Sequence, residues 1–223
     1  MAQLTDPTGV QAAAYSITMQ YWLLGGVALL ALQATAATLV PSERARAAPA
    51  DADLVARDTS DRLMTWGLLV GAGLAVVQVA SLPLLGVFSP LPAVQKATVR
   101  PALIASAMQL MNGPVFAGEG ILMGLGSFSA LAWQTVIGAV FMVGGLKLSA
   151  VRGYGLDGIW VAIGAFNLVQ LVGCGRHIYF SGPLSRGRIA VASGDCAPDP
   201  QRGELECLVV PAESAEVNDG GGI

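Results

Sequence analysis

The chain reads as an all-α fold, a polytopic membrane helix bundle of about five transmembrane helices, and three observations point there. Only 12% of its 223 residues are charged, about half the share of a soluble domain. Its hydrophobic share is 54% and its mean hydropathy is +0.62. Its charges leave long gaps: no Asp, Glu, Lys or Arg lies between Asp6 and Glu43, Arg62 and Lys96, Arg100 and Glu119, Glu119 and Lys147, or Asp157 and Arg176. A spanning helix needs roughly 17–25 apolar residues, and each gap meets or approaches that length.

Taken in order, the first span covers about residues 11–40, with alanines at 28, 31, 34, 36 and 37 forming a small-residue face for close helix approach. Pro41 is expected to close it, and residues 42–61 read as a mixed-charge loop. Asp51, Asp53, Asp58 and Asp61 lack the glycine and closing glutamate of an EF-hand loop. The second span covers about 62–87, carries Gln78, and should kink at Pro83. Ser89 to Pro92 reads as a turn. The third span, 98–124, holds Gln109, Asn112, Glu119, Pro101 and Pro114. The fourth covers 128–151, with Lys147 able to snorkel at its end. The fifth covers 159–180, with Trp160 and Tyr179 as interfacial anchors. Residues 186–223 read as a disordered acidic tail.

Several function classes fall away. No Lys/Arg cluster with interleaved aromatics is present, which argues against nucleic acid as a partner. The cysteines at 174, 196 and 207 have no CxxC spacing, and His177 is the one histidine, so no metal site is expected. HExxH and GxSxG are absent, which argues against an intramembrane protease or hydrolase. No basic n-region precedes the first span. Arg44, Arg46, Arg57, Arg62, Arg176, Arg186, Arg188 and Arg202 fall on one side of the expected topology, and Lys96, Arg100, Lys147 and Arg152 on the other. That excess puts the first loop and the C-terminus in the cytoplasm or a plastid stroma. The N-terminus then lies on the far side, which for a chain without a leader suggests a fragment whose earlier spans are missing.

The residues that carry chemistry sit on the third span. Gln109, Asn112, Phe116 and Glu119 recur at helical spacing and share one face. A carboxylate, two amides and an aromatic ring on one stripe suit binding of an organic cation or carriage of a proton, and an intramembrane ionisable residue is a functional candidate by default. Gln20 and Gln33 on the first span are further polar candidates, with interhelical hydrogen bonding the simpler role for both.

This stripe, with Gln109-Leu110-Met111-Asn112, Phe116, Glu119-Gly120, Gly124 and Ser127-Phe128, resembles the tenth helix of the multidrug and toxic compound extrusion (MATE) transporters, in their plant and algal plastid-type branch. Leu110, Glu119 and Ser127 stand where that pattern has a proline and two aspartates. The first span, with Gln20-Tyr21-Trp22 and Gln33, resembles the eighth helix, although Tyr15 and Ser16 replace its His-Gln pair. Residues 84–99 resemble the end of the ninth, and Gly155-Leu156-Asp157-Gly158-Ile159-Trp160 resembles the opening of the twelfth, with Gln170 in place of a later arginine.

The resemblance implies that residues 1–185 are a partial C-terminal lobe, equivalent to helices 8–12 of a MATE transporter. It implies a secondary active antiporter that exports small organic solutes or xenobiotics against H⁺ or Na⁺, without other cofactors and without being an enzyme. It implies a missing N-terminal lobe as a partner beside the lipid bilayer, and a chloroplast envelope as the membrane. Asn112 matches a position where bacterial relatives often carry a cation-site aspartate, so any proton role moves to Glu119. The alternative is a non-transporting polytopic membrane protein, an assembly or structural subunit, in which neighbouring helices satisfy every polar group on the third span and leave no central cavity.

Overall fold

The computed structural model describes residues 8–185, together with 196–198 and 205–207. Six α-helices follow one another: α1 (Val10–Arg46), α2 (Ala52–Ser81), α3 (Leu85–Phe88), α4 (Pro92–Gly124), α5 (Phe128–Arg152) and α6 (Gly155–Arg176). A single 3-10 turn, Leu82–Leu84, joins α2 to α3, and a π-helical turn, His177–Ser181, closes α6. Five of these elements are long and α3 is one turn, so the architecture is the all-α membrane bundle that the sequence predicts.

Four segments are long and apolar enough to cross a membrane: Val10–Arg46, Ala52–Phe88, Phe128–Arg152 and Gly155–Ser181. Helix α4 is the fifth long helix, diluted in hydropathy by Gln109, Asn112 and Glu119. Burial explains how it carries them. Seventeen of its 33 residues are buried, whereas α5 buries only Gln134, Gly138 and Ser149. Helix α4 is therefore the axis of the bundle, and Leu24, Val27, Val76, Trp133 and Val140 point outward from the helices around it. Such an apolar exterior suits an integral membrane protein in contact with lipid.

The helix order follows from close approaches. Gly25 of α1 meets Gln109, and Ala37 meets Gly124, so α1 and α4 run parallel. Gly164 of α6 meets Met108 while Gly118 meets Cys174, so α6 runs the same way. Gln78 of α2 bonds back to Tyr21 and Gly67 lies on Gly113, which makes α2 antiparallel to both. Gly138 under Phe166 and Gly145 against Ala162 pair α5 antiparallel to α6. One apolar core gathers Ala36, Val40, Leu63, Ile121, Leu122 and Ile178, and a second gathers Ala105, Met108 and Trp160.

The helix boundaries depart from the sequence reading in one place. Pro41 does not end the first span, and of residues 42–61 only 47–51 form a loop. Helix α1 runs through Pro41 to Arg46, and α2 starts at Ala52. Proline removes the bond to the carbonyl four residues back, here Ala37, and the side-chain-free Gly124 backs onto that carbonyl. Beyond it the helix ends are tied by Arg46–Glu43 at 3.0 Å and, across the turn, Arg44–Asp53 at 2.7 Å.

The other breaks fall where expected. Pro83 lies in the 3-10 turn and Pro92 opens α4. Gly126 (φ 69°) turns the chain into α5, and Gly153 (φ 68°) caps it by donating to Ser149 O. The predicted disordered tail lies largely outside the described residues. Where it is described, Cys196–Pro198 and Leu205–Cys207 pair as antiparallel strands β1 and β2, with Cys196 opposite Cys207, in place of irregular chain.

Candidate functional site

Four helices meet at Glu119. Its Oε2 accepts a hydrogen bond from Gln33 Nε2 on α1 at 3.0 Å. Its Oε1 accepts one from Gln170 Nε2 on α6, also at 3.0 Å. The same Gln170 nitrogen reaches Thr135 Oγ1 on α5 at 3.4 Å. Among the described residues no cation pairs with Glu119. The local sequence makes room for this arrangement: Gly120, next to Glu119, lies directly against the α1 backbone at Gln33, and Gly118 lies against Cys174 of α6. Without these two glycines α4 could not sit close enough for Glu119 to reach both glutamines.

A second polar layer lies ten residues earlier on α4, about 15 Å away along the axis. Gln109 is fully buried. Its Nε2 donates to Trp22 O of α1 at 3.1 Å, and its Oε1 accepts from Asn112 Nδ2 at 3.1 Å. Gln78 of α2 donates to Tyr21 O at 2.9 Å. The Tyr21 hydroxyl reaches Gln78 O and Ser81 Oγ. Gly25 leaves the space that the Gln109 and Gln78 amides fill. Trp22 and Trp160 stack edge to face, 6.2 Å between centroids, beside this layer.

Several buried polar atoms in these layers have no hydrogen-bond partner among the described residues. They are Asn112 Oδ1, Gln78 Oε1, Gln170 Oε1, Asn167 Nδ2, and the indole nitrogens of Trp22 and Trp160. Unsatisfied buried polar groups are costly in a protein interior, and such a set can hydrogen-bond a polar guest or be bridged by water.

The predicted stripe therefore divides. Gln109 and Asn112 come together in one layer, and Glu119 and Gln33 in the other. Phe116 is half-buried between them and joins neither hydrogen-bonded group. Gln20 is exposed on the outer face of α1 and is not part of either layer, which corrects its selection. Sequence reasoning missed Tyr21, Gln78, Thr135 and Asn167 as participants, and gave Gln170 no role. Their signal was an isolated polar residue within an otherwise apolar run.

Grooves open on the outer surface of the described residues. One, about 510 Å³, lies between α5 and α6. Another, about 730 Å³, is lined by Arg57, Asp61, Met64, Pro114 and Tyr179. Neither is lined by Gln109, Asn112, Phe116 or Glu119. At the second groove Arg57 is committed to the fold: it pairs with Asp61 at 3.2 Å, donates to Leu184 O at 2.7 Å and lies 4.4 Å from the Tyr179 ring centroid. No family model, curated protein or solved structure matches the chain.

Proposed function

We propose that the chain forms the partial C-terminal lobe of a MATE-type antiporter, exchanging small organic solutes for H⁺ or Na⁺ across a membrane. The observation that carries this reading is Glu119: a carboxylate inside an apolar bundle, without a cationic partner among the described residues, held by neutral amides from two other helices. A carboxylate kept only by amides can take up a proton or a sodium ion without breaking an ion pair. The unpartnered amide and indole atoms around Gln109 give a solute polar anchors beside apolar walls. A plastid envelope as the membrane belongs to the same proposal. Transport by alternating access requires a second lobe to move against this one, so the part of the cycle assigned to this chain is competitive binding.

The test is binding of tetraphenylphosphonium and ethidium to the purified chain in detergent, with pH and Na⁺ varied. Binding that falls as either coupling ion rises, and that loses this ion dependence in Glu119→Gln, supports the reading. A well-folded chain that binds neither probe under any ionic condition overturns it.

One observation favours a second reading, a non-transporting polytopic membrane protein. Both Glu119 oxygens are already hydrogen-bonded, and Gln109 and Asn112 bond one another. In that reading the amides are interhelical glue, and removing Glu119 changes stability alone.

A further inference from the structure

The groove between α5 and α6 has a chemical polarity that the polar stripe does not explain. Its length is apolar: Trp133 and Ile137 of α5 face Leu168 and Val172 of α6, and all four are substantially exposed. Its floor is set by Gly173, where an added Cβ would lie 2.6 Å from Gln134 Oε1. That glycine lets Gln134 turn inward to bond Cys174 Sγ at 3.3 Å, so the only amide in the furrow is withdrawn from it. Its mouth is polar, formed by Arg176, His177 and Ser181.

Arg176 is the distinctive part. It is exposed, and no acidic partner meets it among the described residues. Arg44, Arg46, Arg57 and Arg62 are each engaged by a carboxylate. Helices α1 and α6 run in the same direction, so these arginines and Arg176 share one end of the bundle. From Leu168 to Arg176 the furrow follows about 12 Å of helix, a substantial part of one leaflet of a hydrocarbon core about 30 Å thick. A cation at the water-facing end of an apolar furrow matches a molecule with an anionic head and a hydrocarbon chain.

We propose that this furrow is a binding site for one anionic phospholipid of the bilayer, its phosphate on Arg176 and the hydroxyl of Ser181, and one acyl chain along Trp133, Ile137 and Val172. Basic pockets between membrane helices on the cytoplasmic side recognise such headgroups. The arginine-rich end of the bundle is the one that the charge distribution directs to that side. The site is separate from the Glu119 layer, and it stands whether or not the chain transports a solute.

Native mass spectrometry of the protein in neutral detergent, titrated with phosphatidylglycerol or phosphatidylcholine, tests it. The expected result is one phosphatidylglycerol per chain, bound in preference to phosphatidylcholine and not displaced by millimolar inorganic phosphate. Arg176→Gln should weaken phosphatidylglycerol roughly fivefold, the worth of one interfacial cation, and phosphatidylcholine less, because its choline offsets the phosphate charge, so that the preference between the two shrinks. Arg176→Lys should restore the preference, which keeps the test valid if the glutamine variant is poorly folded. Ile137→Asn should weaken both lipids, and Arg62→Gln, at the same end but outside the furrow, neither. Equal binding of both lipids by the wild type overturns the proposal. So does Arg176→Gln binding like wild type at an unchanged melting temperature. Displacement by free phosphate, or a lipid-free dimer that occupies the furrow, would also overturn it.

Discussion

Glu119 and the two glutamines that hold it, Gln33 and Gln170, come from segments 86 and 51 residues away in the chain. Interhelical hydrogen bonds in membranes average about 0.6 kcal/mol, so the two bonds together contribute about 1 kcal/mol. Truncation costs more, because Gln33 loses its partner, at about 1–3 kcal/mol for a stranded buried group, while Gln170 keeps Thr135 Oγ1 at 3.4 Å. Glu119→Ala should therefore lower the thermal midpoint in detergent clearly. Glu119→Gln should stay within about 1 kcal/mol of wild type, since Gln170 can rotate its unpartnered oxygen toward the new amide. A Glu119→Ala protein as stable as wild type would remove the network from the account of stability. Helical spacing revealed that Gln109, Asn112 and Glu119 share a face, but not what that face meets, because its partners are distant in sequence. The separation of Gln20 from Gln33 was legible. Thirteen residues at about 3.6 per turn put them on nearly opposite sides of α1, and the side that carries Gln33 is the one α4 covers.

Helix α4 can be central because glycine faces glycine where it crosses α2. Gly113 rests on the backbone of Gly67 and Gly71, and an added Cβ at Gly67 would lie 2.8 Å from the Gly113 carbonyl oxygen. No side chain stands between the helices to yield. Gly113→Val should cost about 1–3 kcal/mol or more through overpacking and should reduce the folded yield. Gly73 lies two positions beyond Gly71 on the same helix and has no atom within 4 Å of its added Cβ. Gly73→Ala should gain about 0.5–1 kcal/mol from the backbone entropy that glycine loses on folding. Thermal melts of the two variants separate a packing role from a general intolerance of α2 and α4, and equal effects would defeat the argument. Glycines in apolar runs were visible in the sequence, but contact and non-contact glycines look alike there. Helix ends were obscured for a different reason. Residues 42–61 are polar because they leave the apolar layer, yet they stay helical on both sides of a turn at 47–51, held by Arg44–Asp53 at 2.7 Å and Arg62–Asp58 at 2.9 Å. Hydropathy marks the membrane boundary and does not mark the end of a helix.

In the molecule as a whole, five long helices alternate in direction, with α1, α4 and α6 parallel and α2 and α5 opposed to them. The turn after α1, the turn at Gly126 and the end of α6 therefore share one end of the bundle. The Ser89 turn and Gly153 share the other. That alternation was legible in the charge-free runs, because each run is long enough for one crossing and successive crossings must reverse. The central place of α4 was not legible, since its hydropathy is lowered by the residues that only burial makes tolerable. The alternation makes a sharp prediction in sealed vesicles, using a background in which Cys174, Cys196 and Cys207 are serine. Cysteines placed at Ala48 and Ser127 should react with a membrane-impermeant maleimide from one side, and cysteines at the exposed Leu91 and Tyr154 from the other. The arginine-rich end, with Ala48 and Ser127, should be the protected face in vesicles whose outside is the non-cytoplasmic side. Labelling of Ala48→Cys and Ser127→Cys from opposite sides would mean that one long helix does not cross. Helix α4 would be the one at fault, because its neighbours would have to hold a carboxylate and two amides in a segment lying outside the layer they span.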